Sequence, residues 1–320
     1  MKRRQFITLL SGVAAWLPWG ARSPMWGSKA RSSMMFHSCV TQTAILATAL
    51  PLVTAALNDH AFAGGKLDAS YTISFARIRV GDITVTGLFG ESEYAISARA
   101  RAGGIMKQLN LVDGEASFST HGIIKDGYPV PTTFISKTVS DAESSDVTMV
   151  LDEGNVKELA APVPPPKSDR VPVTQTNRKG IVDPLTAMLF SSAAVGEGLA
   201  RDVCRHTLPI FDGQQRYDLK LAFKRMDKIT AEKGYAGPVV VCSVSYEPIA
   251  GHRPSTRLVK YLSEGPEIEM ALAPIARTRL LAPFRMLVES ALANLVIEAN
   301  EFEVTAQPQD ARTDADPKAQ

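Results

Sequence analysis

Long stretches of this chain alternate apolar and polar residues with a period of two, and that pattern excludes most folds at once. Only an extended strand with one face buried sends every second side chain to the same side. The clearest case runs from Arg216 to Lys224. Tyr217, Leu219, Leu221 and Phe223 share one face, and Arg216, Asp218, Lys220 and Lys224 share the other. The same alternation marks Tyr71, Ile73 and Phe75, then Ile78 and Val80, Ile83 and Val85, Tyr94, Ile96 and Ala98, and Ala116, Phe118 and Thr120. It returns at 132–139, at Val147, Met149 and Leu151, and at 239–247, 267–272, 284–289 and 295–304. About ten strands of this kind predict a mainly β fold, a curved antiparallel sheet or incomplete β-barrel with one or two short helices. Gly81-Asp82 and Lys125-Asp126-Gly127-Tyr128-Pro129 read as tight turns between strands.

The proline-rich stretch 161–172 interrupts the alternation and reads as a connector inside a single domain spanning 64–305. After it, Asp183 followed by Pro184, Leu185, Met188 and Leu189 predicts a helix start, with Asp183 as N-cap and proline at the first helical position. A second short helix is expected over 199–205. The polar residues 306–320, with Pro308 and Pro317, read as a disordered tail.

Residues 1–63 read as an export leader rather than as part of the fold. Arg3 and Arg4 precede an apolar segment, the arrangement of a twin-arginine signal, which is recognised by a receptor and not buried. A second apolar run, 40–57, follows Lys29 and Arg31 and ends in Ala61-Phe62-Ala63-Gly64. That small-x-small ending places a signal cleavage between Ala63 and Gly64. Cleavage there predicts a periplasmic protein with no stable membrane span, whose leader engages the export machinery. Retention of 40–57 as a membrane anchor is the alternative, at the lower limit of spanning length. All three tryptophans, Trp16, Trp19 and Trp26, lie in this leader, as does Cys39.

The leader also distorts the charge balance. The whole chain is formally +2, but six of its 35 basic residues and only one of its 33 acidic residues fall in 1–63. The remaining 29 basic and 32 acidic residues give −3, which argues against a nucleic-acid partner, since such binding needs a basic surface to displace counterions.

Cys204 and Cys242 are the two cysteines that remain. An even count in an oxidising compartment predicts a disulfide, with a pair of buried free thiols as the alternative. The three remaining histidines, His121, His206 and His252, fall in different segments and lack metal-ligand spacing. His206 lies two residues from Cys204, but a nucleophilic thiolate is disfavoured where the compartment oxidises thiols. Asp126, Asp212 with Arg216, and Asp183 are accounted for by turns and a cap. No phosphate loop, nucleophile elbow, His-Glu-x-x-His or calcium loop is present, and neither a cofactor nor a metal is expected.

Four segments in order carry a family resemblance. They are Lys125-Asp126-Gly127-Tyr128-Pro129-Val130-Pro131-Thr132-Thr133-Phe134, Val182-Asp183-Pro184-Leu185-Thr186-Ala187, Phe211-Asp212-Gly213-Gln214-Gln215-Arg216-Tyr217 and Cys242-Ser243-Val244-Ser245-Tyr246-Glu247-Pro248. They resemble the exported proteobacterial family known as domain of unknown function 3108, with the flavour of its rhizobial members. The resemblance covers about residues 68–304. It implies a periplasmic β-rich fold and transfers no catalytic residue. The expected function is a non-enzymatic cell-envelope protein that binds a lipid-like or protein partner. A periplasmic hydrolase with scattered active-site residues, and a structural or assembly partner, are the alternatives.

Overall fold

A computed structural model describes residues 64–103, 114–139, 144–163, 169–192, 199–290 and 293–306. Strands β1 (Gly65–Phe75), β2 (Ile78–Phe89), β3 (Glu93–Ala102), β4 (Glu115–Lys125), β5 (Tyr128–Val139), β6 (Ser144–Asp152) and β7 (Asn155–Ala160) form consecutive hairpins. After the connector come β8 (Phe190–Ser191), β9 (Thr207–Phe211), β10 (Arg216–Thr230), β11 (Lys233–Gly234) and β12 (Ala236–Ala250). Helix α1 (Arg257–Ser263), β13 (Ile268–Pro274), β14 (Leu280–Val288) and β15 (Leu295–Ala306) follow. They make one sheet in the order β7-β6-β5-β4-β3-β2-β1-β15-β14-β13-β12-β10-β9, with every neighbouring pair antiparallel along this path. The sheet is not closed, because no ladder joins β7 to β9.

The alternation sets which face is buried. On β1, Leu67, Ala69, Tyr71, Ile73 and Phe75 are buried, while Lys66, Asp68, Ser70, Thr72 and Ser74 stay part-exposed. Each large apolar side chain so buried contributes roughly 2 kcal/mol. A sheet with one apolar face has to curl over that face or cover it.

Here a strap, residues 181–192, runs across the interior. Its backbone is tied at each step: Ile181 N–H donates to Gly154 O at 2.8 Å, Val182 N–H to Pro209 O at 2.9 Å, and Ser192 N–H to Arg279 O at 2.8 Å. The Ser191 hydroxyl donates to Gly127 O at 2.6 Å, and β8 within the strap pairs with β14. Gly154 belongs to the β6–β7 turn and Pro209 to edge strand β9, so the strap bridges the two ends of the sheet. Ile181 packs there with Phe134, Met149 and Leu151 from one end and Phe211 from the other. The seam is closed by the strap's backbone hydrogen bonds and by these side chains, with no ladder between β7 and β9.

Both helix expectations shrink. The Asp183-Pro184 start leads only to a single 3-10 turn, Thr186–Met188, and the segment 199–205 to another, Arg201–Cys204. Strap residues must satisfy neighbours on both sides, and the β8–β14 pairing stops further helical turns. Helix α1 lies where the sequence predicts no regular element. Among the described residues fifteen strands replace about ten, because β7, β8, β9 and β11 are short or weakly alternating. The tail residues 307–320 and the connector residues 164–168 lie outside the described residues.

One turn also moves. β1 and β2 are joined by Ala76-Arg77, with φ of 52° and 65°, and not by Gly81-Asp82. Gly81 lies within β2, beside a bulge that leaves Val80 without a partner on β1. A Cβ on Gly81 would meet Arg101 O of β3 at 2.7 Å, so the glycine marks a close approach and not a reversal. The Asp126-Gly127 turn is as expected, with φ of 54° and 83°.

Left-handed backbone disfavours residues that carry a Cβ by about 1–2 kcal/mol. Arg77→Gly is therefore expected to raise the unfolding free energy by about 1 kcal/mol, and Gly127→Ala to lower it by a similar amount. Urea titrations of the two variants should shift in opposite directions.

Candidate functional site

The inward row of β3 reads Tyr94, Ile96, Ala98, Ala100, so side-chain volume falls along the strand. Its neighbours across β2 are Phe89, Gly87, Val85 and Ile83 in the same order. Where the row turns small, the strap does not fill the space, and an apolar cleft of about 190 Å³ remains. Ile83, Val85, Ala98 and Ala100 form its floor, Pro184, Leu185, Met188 and Leu189 of the strap form one wall, and Met286 and Ile297 close the far side.

Arg285 also borders the cleft, but its side chain belongs to the other face of the sheet. Ile73, Ile297 and Met286 align across β1, β15 and β14, whereas Arg285 aligns with Glu298 and Thr72 one residue on. Its Nε lies 3.9 Å from Glu298 Oε2. Tyr71, also in the lining, donates its hydroxyl to Pro283 O at 2.8 Å and is thereby satisfied. Apart from Arg285, whose buried Nε has no hydrogen-bond partner, the cleft presents hydrocarbon.

Polar chemistry is concentrated behind the strap wall. Asp183 is fully buried, as are Thr120, Thr186 and Tyr94 to within 2%. The carboxylate accepts the N–H groups of Leu185 and Thr186 on Oδ1, at 2.9 and 3.1 Å. Oδ2 receives the Thr186 hydroxyl and, at 3.0 Å, the Thr120 hydroxyl. Tyr94 Oη lies 2.7 Å from Thr186 Oγ1, and Thr120 Oγ1 has a second acceptor in Thr133 O at 2.9 Å. Burial raises the Asp183 pKa against the pull of these hydrogen bonds, and burial likewise keeps the Tyr94 phenol neutral.

A sequence model described as "Protein of unknown function (DUF3108)" matches residues 70–299. The chain belongs to this family. The match runs from within β1 to within β15, so it takes in the strap, the cleft and both remaining cysteines. No curated protein matches. Among solved structures, a β-barrel-like protein of domain of unknown function DUF1849 from Brucella abortus is similar over 76% of this chain and 99% of its own. The identity is 10% and the TM-score 0.40.

In this DUF3108 chain Cys204 and Cys242 form the expected disulfide, joining the Arg201–Cys204 turn to β12 with Cα atoms 5.4 Å apart. Both are fully buried in a second core on β10, β12 and β13, with Leu219, Val240 and Met270. The histidines are not brought together. His121 is exposed on β4, His206 precedes β9, and buried His252 follows β12, where desolvation favours its neutral form. Asp212 caps its turn as expected, accepting the N–H groups of Gln214 and Gln215 at 2.8 and 2.6 Å. Arg216 pairs with Asp218 at 2.5 Å. Among the described residues no group of three potential ligands could hold a metal, and no helix is long and apolar enough to cross a membrane. Arg3, Arg4 and Ala63 lie outside the described residues, while Gly64 directly precedes β1.

Sequence reasoning led to a lipid-like ligand but did not locate the cleft. The available signal was the Ala98-x-Ala100 end of an otherwise bulky inward row, facing Gly87-x-Val85.

The disulfide spans 38 positions, and closing such a loop stabilises by about 4 kcal/mol in the chain-entropy model. Replacing both cysteines by alanine should remove about that much from the unfolding free energy, measured by denaturant titration without reductant.

Proposed function

We propose that this protein is exported to the periplasm and acts there without catalysis, holding the apolar end of a lipid-like envelope component in the cleft between strap and sheet. The cleft itself carries the reading. It is walled by aliphatic and aromatic side chains, alanines and a methionine-bearing strap, with Tyr71, whose hydroxyl is already hydrogen-bonded, and Arg285 as its titratable lining residues. A dry apolar cavity of about 150 Å³ accommodates benzene, so one of this size takes a ring or a run of about six carbons. A longer acyl chain leaves its remainder and its head group outside. Selection is then by shape and by burial of hydrocarbon, at roughly 0.8 kcal/mol per methylene.

Export is supported by the paired arginines, by the Ala63-Gly64 junction ahead of β1, and by a disulfide that persists only where thiols are not held reduced. Engagement of the export machinery through the leader belongs to the same proposal.

Two measurements test this reading. Cleavage after Ala63 removes Trp16, Trp19 and Trp26, so protein recovered from the periplasm should show tyrosine emission only. Tryptophan emission from that fraction would contradict export with cleavage. Separately, cis-parinaric acid should bind the purified chain saturably. Ala98→Leu, which fills the floor of the cleft, should weaken binding about tenfold without lowering Tm. Equal binding by wild type and variant would place the ligand elsewhere and overturn the assignment.

A further inference from the structure

We propose that Asp183 is a proton-controlled latch on the strap wall of the cleft: protonated, it keeps residues 184–189 seated against the sheet, and ionised, it loosens them and lets ligand exchange. The regulatory part of this inference rests on the reading of the cleft as a ligand site; the latch does not.

The geometry accommodates both protonation states without moving a heavy atom. In the ionised state two N–H groups and two hydroxyls all donate to the carboxylate. In the neutral state the acid must itself donate, and of its four partners the two N–H groups cannot accept. Thr186 Oγ1 sits next to the Tyr94 hydroxyl and can accept from it. Thr120 is the partner that can reverse: it turns its proton to Thr133 O, 2.9 Å away, and accepts from Asp183. No proton is left without an acceptor in either state.

The two states differ in the charge they bury. The titratable groups that face Asp183 are phenols, Tyr94 from β3 and Tyr217 from β10, each feeling its charge and each kept neutral by burial. Among the described residues no cation forms an ion pair with it. A carboxylate withdrawn from water without a counter-charge is costly even when fully hydrogen-bonded, so the seated strap favours the neutral acid. The raised pKa of Asp183 has this origin.

When the strap lifts, Asp183 meets water and ionises at its ordinary value near pH 4. The closed form thus holds its proton to higher pH than the open form. Stability of closure from this group is complete below the open-form pKa and is lost as pH rises through the closed-form pKa. Acid seats the strap and alkali loosens it. Pro184, Leu185, Met188 and Leu189 move with it, since Asp183 anchors the Leu185 and Thr186 amides and its carbonyl accepts from Ala187 N–H at 2.9 Å.

Hydrogen exchange on the full disulfide-bonded chain tests the latch. After correction for intrinsic exchange, protection at the Leu185 and Thr186 amides should fall severalfold as pH is raised from about 4 to about 8. Val241, in β12, should keep its protection. Asp183→Asn retains the shape without the charge and should hold the strap at its acid level across the range. Equal protection at the two pH values in wild type, a parallel fall at Val241, or the same fall in D183N would each overturn the proposal. If D183N does not accumulate, the wild-type comparison of strap with Val241 decides alone. Release of cis-parinaric acid provides the second arm, and should quicken with pH in wild type. Loss of strap protection with no probe bound at any pH sinks the ligand reading and leaves the latch. Probe binding with flat strap protection does the reverse.

Discussion

A sheet with an apolar inner face and two edge strands that do not pair has two demands to meet, a face to cover and a seam to close. In this chain both fall on the strap 181–192. Its main chain hydrogen-bonds to the β6–β7 turn, to β9 and to β14, so its own polar groups are satisfied while it crosses the interior. Its side chains join cores that the strands alone would leave separate. Ile181 fills the seam, Leu189 packs with the β1–β3 face, and Ala187 and Phe190 pack with the β10–β13 face. The position of the cleft follows from the same demand, because the strap leaves space against the small residues of β3.

Asp183 belongs to this arrangement. A carboxylate at the start of a short turn ordinarily caps it in contact with water. Here the strap carries the cap inward, so the same two amide hydrogen bonds are made out of water, and Thr120, Thr186 and Tyr94 have to complete the shell. The disulfide anchors the opposite half of the sheet. It ties the turn before β9 to the middle of β12 and is itself buried, which suits a chain whose sheet ends in short edge strands.

Much of the fold was legible because burial on one face leaves a period of two in the residues. β1, β3, β10 and β12 could be read from their alternation, and the disulfide from the cysteine count. The errors have local causes. Gly81 has the chemistry of a turn, but its missing side chain serves a close approach to β3. The real turn uses Ala76 and Arg77, residues with no preference for left-handed backbone. Asp183-Pro184 has the chemistry of a helix start, but the helix has no room to continue once β8 pairs with β14. Of the candidate site, the cap was legible and the cleft was not. A cleft is an absence of side-chain volume between segments about ninety residues apart, and strand periodicity carries no record of which row faces which.

The sequence by itself determined that the chain is a mainly antiparallel sheet, and it pointed to the two cysteines that pair. These depend on local spacing and on composition, which every residue carries with it. Tertiary structure alone decided that a strap closes the seam of the open sheet, and that Asp183 ends up beside a hydrocarbon cleft with no counter-ion among the described residues. Those outcomes depend on which distant surfaces meet and on how much volume is left between them. They arise only when the chain has rolled up.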